Sequence, residues 1–252
     1  MIHKQLANVE WLEFELLAGL PIIHGCFKRH GGVSTGVLSS LNLGTNTGDQ
    51  SKNVNQNLKI VQQTLSLEKI ILAKLSHGCT VTALTSSDVN IPISDALTTS
   101  VRNFAIAVTQ ADCQAAIFYD PVKHAMANVH CGWRGSVLDI YGATLRSMQT
   151  SYGSNPADIL VCISPSLGPE HAELTNYMTE LPECLWRFKL KQHYFDFWAI
   201  SRWQLERSGI LSQHIQIAEI DTYAHPDYFS YRYSTHLQLT QCGRQVTVCS
   251  LL

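Results

Sequence analysis

The amino-acid sequence predicts an α+β fold in which strands and helices are arranged in layers. Short apolar runs bounded by turn-forming residues are typical of strands, and longer stretches with apolar residues every three or four positions are typical of helices. The two kinds of stretch do not alternate strictly, which favours an α+β arrangement over a doubly wound parallel sheet. The chain contains no linker, internal repeat or low-complexity segment. Residues 1–252 are therefore expected to form a single domain.

The composition is that of a globular protein, with 45% hydrophobic residues, 15% charged residues and a formal net charge of −2. No basic stretch indicates nucleic-acid binding, and no run of 18 apolar residues indicates a membrane span. The N-terminal segment lacks the basic start and unbroken apolar run of a signal peptide. The eight cysteines are scattered without a CxxC motif, which favours thiols over disulfides. These features predict a cytoplasmic protein.

Each element is predicted from its own pattern. Helices are expected at residues 52–65, from Ser136 to near Gly153, at 173–184, and at 195–209 with a glycine stop. Residues 9–17 fit an edge strand or a short helix, residues 28–36 a glycine-rich basic loop, and residues 86–98 a polar loop. Strands are predicted at residues 22–27, 70–75, 81–84, 104–108, 115–119, 125–129, 159–164, 215–220 and 245–251.

A hairpin in the centre of the chain predicts a functional site. Asp120-Pro121 is a turn signal between two apolar runs, and a turn at residues 120–123 places Cys113 directly opposite His130. Directly opposite residues point to the same face, with Cβ atoms roughly 4.5–5.5 Å apart. The thiol and the imidazole could then share a metal ion or form a Cys–His dyad. The ordinary alternative is a buried cysteine and an unrelated histidine.

The segment after His130 has the features of an anion site. Ser136 and Asp139 resemble a capping box, which predicts that a helix begins at Ser136 after a Gly132–Gly135 turn. Free backbone N–H groups, the helix dipole and the Arg134 guanidinium would together suit phosphate. An ordinary turn between a strand and a helix explains the same residues equally well.

Several separated motifs follow one another in an order that resembles a known family. They are RHGGVS at 29–34, NLG at 42–44, GD at 48–49, HG at 77–78, ADC at 111–113, HxGWRG at 130–135, FSYR at 229–232 and GR at 243–244. Together they resemble the YfiH-like laccase-domain family, also called the multicopper polyphenol oxidase or purine nucleoside phosphorylase family, over residues 24–250. ADC followed by HxGWRG is the most specific part.

The resemblance implies a four-layer α/β/β/α sandwich with mixed sheets and a metal site of three ligands. Those ligands fall on His77, Cys113 and His130, and the metal is usually zinc, with copper as the alternative. Three protein ligands leave one tetrahedral position open, which is the arrangement of a catalytic zinc site. His77 could not have been assigned to this site from spacing alone.

The activities that the resemblance implies are phosphorolysis of adenosine, inosine, guanosine and methylthioadenosine, and hydrolytic deamination of adenosine. Cys113 and His130 are then the expected catalytic residues. Arg29, Arg134, Arg232 and Asn42 are the candidates for binding phosphate or substrate. The expected partners are therefore a nucleoside and phosphate, without nucleic acid or membrane, and the chain is expected to be a monomer or small homo-oligomer.

The sequence departs from the family pattern at several positions near these motifs. Asn46 stands where a histidine is common, Leu75 where a glutamine is common, Ala172 where a tyrosine is common, and Asp221 where a cysteine is common. The expected metal ligands are unchanged. These differences therefore bear on the choice of substrate more than on the fold.

Three other functions fit parts of the sequence. A Cys–His hydrolase acting on cell-wall peptide precursors would use Cys113 as nucleophile and His130 as base. A copper-dependent polyphenol oxidase would need many histidines in paired motifs, whereas this chain has 11 histidines and no HxH. A structural zinc protein without turnover would use the same three ligands. Dependence of activity on metal separates the hydrolase from the zinc enzyme.

Overall fold

The computed structural model describes residues 1–87 and 93–252. In chain order the strands are β1 (Ile2–Leu6), β2 (Val9–Glu13), β3 (Ile22–Phe27), β4 (Ile70–Leu72), β5 (Val81–Leu84), β6 (Ala96–Thr99), β7 (Ala105–Gln110), β8 (Gln114–Asp120), β9 (Ala125–Cys131), β10 (Leu160–Ile163), β11 (Lys189–Lys191), β12 (Tyr194–Phe195), β13 (Ile215–Ile217) and β14 (Gln245–Leu251). The α-helices are α1 (Ser51–Thr64), α2 (Trp133–Val137), α3 (Ile140–Tyr152), α4 (Tyr177–Glu180), α5 (Phe197–Arg207) and α6 (Tyr231–His236).

Two six-stranded mixed sheets form the centre of the fold. The first has the order β1-β2-β3-β14-β7-β4 and the second the order β13-β10-β8-β9-β6-β5. Neighbouring strands run antiparallel except for the pairs β4–β7, β5–β6 and β10–β13, which are parallel. Strands β8 and β9 lie in the middle of the second sheet and are buried along their whole length. Their nearly continuous apolar sequence follows from burial on both faces.

Three hydrophobic clusters define four layers. Between the sheets, Leu12 and Ile106 of the first pack with Ile117 of the second. On the outer face of the first sheet, helix α1 contributes Val61 to a cluster with β7 and β14. On the outer face of the second sheet, helices α3 and α5 contribute residues such as Leu205. The predicted α+β fold in α/β/β/α layers is therefore confirmed.

The structure agrees with most predicted elements and corrects others. The strands at 22–27, 81–84 and 245–251 have the predicted bounds, and α1 differs by one residue at each end. Residues 9–17 contain strand β2 followed by a 3-10 helix at Glu15–Leu17, so the segment forms both the strand and the short helix that were predicted as alternatives. The predicted strands at 70–75 and 215–220 each end three residues early, and β1 was not predicted.

The predictions for two further segments were wrong in part. Within the predicted loop at 86–98, residues 88–92 lie outside the described ranges, while Ala96–Thr99 form strand β6. The possible helix at 173–184 is reduced to the single turn α4, followed by a 3-10 helix at Glu183–Phe188. The apolar residues here pack around Phe195 in a satellite cluster rather than along one long helix face.

The predicted register of the central hairpin was wrong by two residues. Ala115, not Cys113, lies opposite His130, and Asp120 pairs with Ala125. The Asp120 carboxylate accepts hydrogen bonds from the backbone N–H groups of Val122 and Lys123, at 2.8 and 2.9 Å. This side-chain turn holds Asp120 in the strand and begins the loop one residue later than predicted. The change leaves every side chain on its predicted face, because side chains alternate with a period of two.

The predicted capping box was also wrong. Helix α2 already begins at Trp133 after an N-terminal Gly132, so the expected turn at 132–135 is largely helical. Asp139 adopts a left-handed conformation and caps α3 by accepting from the N–H of Gly142, while Ser136 lies inside α2. The end of α3 at Gly153 is as predicted, with Gly153 at φ +70°. The anion site predicted at the N-terminus of α2 stays a prediction.

No helix in the described ranges has the length and apolar character needed to cross a membrane.

Candidate metal centre

His77, Cys113 and His130 come together at one end of the second sheet. One ligand atom from each residue lies within 4.8 Å of the corresponding atoms of the other two. His130 belongs to β9, Cys113 directly precedes β8, and His77 lies in the loop between β4 and β5. The His77 and His130 rings meet edge to face with centroids 4.8 Å apart. Within residues 1–87 and 93–252 this is the one group of three such side chains placed to hold a metal ion.

A buried carboxylate, Asp95, holds two of these three residues in place. Asp95 is 0% exposed and lies directly before β6. Its oxygens accept hydrogen bonds from the backbone N–H groups of His77 and Gly78, both at 2.8 Å, and from the hydroxyl of Ser76 at 2.7 Å. The loop at Ser76–Gly78 thereby wraps around one carboxylate. His77 is in the left-handed conformation, φ +59°, which this wrapping stabilises.

Asp95 also orients His130. The Nδ1 atom of His130 lies 3.1 Å from Oδ1 of Asp95, and the backbone N–H of His130 donates to the carbonyl of Asp95 at 2.7 Å. A carboxylate accepts but cannot donate when ionised, so Nδ1 carries the proton and Nε2 is available as a ligand atom. This carboxylate–histidine arrangement is common behind metal-binding histidines. Sequence reasoning missed Asp95, whose available signal was an isolated acidic residue directly before an apolar strand.

The electrostatics of the group favour a thiolate at Cys113. Burial by itself raises the pKa of the Cys113 thiol, but the charge of His130 and hydrogen bonds from His130 and His77 lower it to about 6. The pKa of His130 is raised, because the Cys113 thiolate and Asp95 outweigh the opposing effect of burial. Burial also raises the pKa of Asp95, but hydrogen bonds from His130, Ser76 and Gly78 reverse this and hold it well below its usual range.

The donor set fits zinc. One thiolate and two imidazoles are the ligands of Cys/His zinc sites, and three protein ligands leave a fourth tetrahedral position open. The close packing at Gly132 supports a tightly built site: a Cβ atom at this position would lie 2.9 Å from Sγ of Cys113 and 3.7 Å from Cδ2 of His77. A side chain here would therefore displace the thiol. This explains why glycine follows the His130–Cys131 strand end.

The group opens into a cavity of about 1190 Å³. This volume is slightly above the roughly 300–1,000 Å³ that small-molecule sites commonly occupy. Trp133, Phe197 and Tyr231 provide aromatic walls, and the cationic side chains on the cavity surface are Lys74, Arg232 and Arg244. The cavity can therefore hold an aromatic ligand and an anion near the three candidate metal ligands.

The predicted substrate-binding residues lie in different places. Arg232 lines the cavity. Asn42 is buried under the loop at 43–47 that lines it, Arg29 donates to the carbonyls of Ser39 and Val37, and Arg134 stacks on the Trp133 ring. The last three are not part of the cavity wall. Arg244, which the sequence marked only through a GR motif, does line the cavity.

Three of the four sequence departures also lie at the cavity. Asn46, Leu75 and Ala172 are in its wall, where they bear on the shape available to a ligand. Asp221 is elsewhere: its carboxylate lies 2.5 Å from Nδ1 of His171 and accepts from the backbone N–H of Gly168. The Asp221 substitution therefore acts on a neighbouring loop rather than on the cavity wall.

The lowered pKa of the Cys113 thiol predicts that this residue is alkylated at a lower pH than an ordinary cysteine. In metal-free protein, the rate of labelling by iodoacetamide should rise with pH through a midpoint near pH 6, because the thiolate is the reactive form. Mass spectrometry of the peptide containing Cys113 measures this rate, with exposed Cys184 as the internal control for reagent. Zinc should protect Cys113 but not Cys184. A midpoint above pH 8 would contradict the described charge arrangement.

Comparison with known proteins gives a consistent family. The model of the family described as multi-copper polyphenol oxidoreductase laccase matches residues 23–252. The human protein named purine nucleoside phosphorylase LACC1 is 34% identical over 224 residues, covering 82% of this chain and 51% of the human protein. The chain thus spans about half the length of this relative and of its mouse counterpart.

Bacterial relatives match over most of their length. A protein of Bacteroides thetaiotaomicron named purine nucleoside phosphorylase is 27% identical over 230 residues, covering 82% of this chain and 84% of the relative. The crystal structure of YlmD from Geobacillus stearothermophilus superposes with a TM-score of 0.88 at 26% identity, covering 99% of this chain and 98% of that one. With the family match over nearly the whole chain, these likenesses identify this protein as a member of the YfiH-like laccase-domain family.

Proposed function

We propose that this protein is a zinc-dependent purine nucleoside phosphorylase that acts on adenosine, inosine, guanosine and methylthioadenosine. The observation that carries the proposal is the His77–Cys113–His130 group at the wall of a large cavity that also has aromatic and cationic surfaces. The names of the human and bacterial relatives support the same reaction class.

The cavity wall suits a purine nucleoside. The aromatic faces of Trp133, Phe197 and Tyr231 offer stacking surfaces for a base. Stacking of a base on an aromatic side chain contributes roughly 1–3 kcal/mol and tolerates different bases. This tolerance is consistent with a set of purine substrates rather than one. Leu75 and Ala172, which also line the cavity, shape the space around the base and sugar.

Phosphate would bind at the cationic part of the wall. Of the arginines predicted from sequence, Arg232 is the one that the proposal retains, because it lines the cavity. Its Nη2 atom donates to the carbonyl of Glu173 at 2.7 Å, which fixes the direction of the guanidinium. Its backbone N–H donates to Asp112, the residue before Cys113, at 2.6 Å. A hydrogen bond thus connects the proposed phosphate-binding residue Arg232 to the residue directly before the candidate metal ligand Cys113.

His77, Cys113 and His130 would hold the metal, and Cys113 and His130 are the proposed catalytic residues. When bound, zinc would supply Lewis-acid chemistry at a ligand oxygen. Asp95 keeps the proton on Nδ1 of His130, so that Nε2 is available to the metal. Zinc is proposed over copper because the described residues provide one three-ligand group, whereas multicopper sites use several paired histidines.

In the proposed reaction an oxygen of phosphate forms a bond to C1′ of the nucleoside as the C1′–N9 bond breaks. The electron pair of the broken bond stays on N9, which takes up a proton. The products are the purine base and ribose 1-phosphate, or 5-methylthioribose 1-phosphate when the substrate is methylthioadenosine. The proposal includes deamination of adenosine, in which water replaces the 6-amino group and releases ammonia. For that activity water must reach the same cavity in place of phosphate.

Product analysis tests the proposal. Zinc-loaded protein is incubated with adenosine with and without phosphate, and the products are separated and identified by mass. We expect adenine and ribose 1-phosphate only with phosphate, inosine without it, and loss of both after chelation. Activity that survives chelation on a cell-wall peptide precursor, without release of base, would instead favour the Cys–His hydrolase. Folded, zinc-loaded protein that releases neither base nor inosine would contradict the proposal.

The remaining parts of the proposal concern the setting of the reaction. All eight cysteines are free thiols in the structure, which supports a reducing compartment such as the cytoplasm. The expected partners are small molecules. We propose a monomer or small homo-oligomer, because one chain supplies the candidate metal ligands and the aromatic and cationic residues of the described cavity.

A further inference from the structure

Arg244 is a cation of the cavity wall that the reaction proposed above does not yet use. Of the two arginines in this wall, Arg232 is bonded to Glu173, whose carboxylate lies 3.7 Å from Nη1 and whose carbonyl accepts from Nη2. Arg244 forms no ion pair with any acidic side chain in residues 1–87 and 93–252, although it is partly buried. A partly buried guanidinium without a carboxylate is suited to bind an anionic ligand.

The NLG motif holds the backbone of Arg244. Asn42 is 0% exposed, and its Oδ1 accepts from the backbone N–H of Arg244 at 2.9 Å and from that of Gly44 at 3.0 Å. The backbone N–H of Leu43 in turn donates to the carbonyl of Arg244 at 2.9 Å. Nδ2 of Asn42 is occupied by Thr47 and Asp49, both at 2.9 Å. Asn42 is therefore a positioning residue, and what it positions is Arg244.

The side chain of Arg244 is held as firmly as its backbone. A Cβ atom at Gly44 would lie 2.8 Å from Cγ of Arg244, so the glycine leaves the space through which the arginine stem passes. The guanidinium carbon lies 5.9 Å from the centre of the Tyr231 ring, which also lines the cavity. Preorganisation of this kind reduces the entropy lost when the guanidinium binds a ligand.

The hydrogen bonds of the guanidinium leave one edge available. Nη1 donates to the carbonyls of Cys242 and Gly243, at 2.8 and 2.9 Å. The Cys242 thiol also contacts the guanidinium, but Nε and Nη2 donate to no carbonyl or carboxylate oxygen in the described part of the chain. These two nitrogens form the edge with which arginine binds two oxygens of a phosphate at once. The two bonds at Nη1 fix the rotation of that edge.

We propose that Arg244 is the main phosphate-binding residue of the cavity, binding two oxygens of inorganic phosphate through Nε and Nη2. This inference rests on the proposed phosphorolysis, for which it names the anion subsite. Lys74 and Arg232 in the same wall add positive charge. Asp112, the acidic residue of this wall closest in sequence to the metal ligands, is occupied by Thr222 and by the backbone of Arg232, at 2.7 and 2.6 Å.

Binding of inorganic phosphate to zinc-loaded protein without nucleoside tests the inference directly. Isothermal titration at constant ionic strength compares the wild-type protein with Arg244→Gln and with Arg134→Gln, the matched control outside the cavity. We expect the Kd for phosphate to rise at least about tenfold in Arg244→Gln, since two charge-assisted hydrogen bonds are lost. Arg134→Gln should stay within about twofold, and Arg244→Lys should recover part of the affinity by charge alone.

Steady-state kinetics provide the second measurement. In Arg244→Gln the KM for phosphate should rise at least about tenfold while the KM for adenosine changes by less than about threefold. If Arg244→Gln does not fold, Arg244→Lys decides the result. Lysine retains the positive charge but loses the bidentate binding of two phosphate oxygens. A wild-type Kd for phosphate in a folded Gln or Lys variant would overturn the inference, as would a wild-type protein that binds no phosphate.

The two proposals can fail separately. Phosphate binding that depends on Arg244, without release of base from any purine nucleoside, would leave the anion subsite in place and contradict the phosphorylase. Phosphorolysis with an unchanged KM for phosphate in Arg244→Gln would support the phosphorylase and contradict the subsite.

Discussion

Cys113→Ala is expected to abolish zinc binding and to lower kcat/KM for phosphorolysis by roughly 10³-fold or more. This factor corresponds to a loss of about 4 kcal/mol in transition-state stabilisation. The substitution removes the one sulfur ligand and leaves His77 and His130 without the thiolate that lies between them. Zinc content by elemental analysis and the steady-state rate of base release measure the two effects.

Cys184→Ala is the matched control, since Cys184 is an exposed thiol in the 3-10 helix at Glu183–Phe188. This variant should keep one zinc per chain and a wild-type rate. Stoichiometric zinc in a folded Cys113→Ala protein would show that the metal is held elsewhere. Full activity without zinc in either variant would remove the metal from the reaction.

Asp95→Asn is expected to destabilise the protein by about 3 kcal/mol, since it removes a buried charge that accepts several hydrogen bonds. The amide keeps one acceptor oxygen, so its NH2 group would face either the N–H donor of His77 or that of Gly78, which now point at different carboxylate oxygens. Zinc affinity should fall by roughly 10–100-fold, as for other residues that orient metal-bound histidines. Urea unfolding and competition with a chromophoric chelator measure the two losses.

The effect of Asp95→Asn should depend on pH in a defined direction. The folded-state pKa of Asp95 lies below its value in the unfolded chain, so its contribution is complete above the unfolded pKa of about 3.9. It decreases as the pH falls below that value toward the folded-state pKa. The difference in unfolding free energy between wild type and variant should therefore be largest at neutral pH and shrink in acid.

Ser76→Ala is the graded control for Asp95. It removes one side-chain hydrogen bond to the carboxylate, at 2.7 Å, and leaves the backbone donors in place. Its cost should be only about 1 kcal/mol, with little change in zinc affinity. Equal losses for Ser76→Ala and Asp95→Asn would mean that the loop, rather than the carboxylate charge, is the sensitive feature.

Local patterns in the sequence determined much of the fold. The apolar runs of β3 and β14 and the periodic face of α1 were sufficient to place these elements, because their burial follows directly from residue type. The hairpin pattern also put Cys113 and His130 on one face of the second sheet. That result survived an incorrect register, since a shift of two residues leaves each side chain on the same face.

The positions of turns and helix caps were harder to predict from the sequence, because several alternatives have similar free energies. The side chain of Asp120 determines the hairpin loop by accepting two hydrogen bonds, from the backbone N–H groups of Val122 and Lys123. Asp139, in a left-handed conformation, took the capping role expected of Ser136. Each choice changes the free energy by about 1 kcal/mol, which residue patterns do not resolve.

The sequence by itself thus determined the α+β class, most strands and helices, and the meeting of Cys113 with His130. His77 could be assigned to them through the family resemblance but not through spacing, and only the tertiary structure placed Asp95 behind them and connected Asn42 to Arg244. These contacts link segments that are distant in the chain, and the order of strands in the two sheets brings them together. The physical reason is that apolar burial specifies which face of an element is inside, whereas the packing of whole sheets specifies which polar side chains meet.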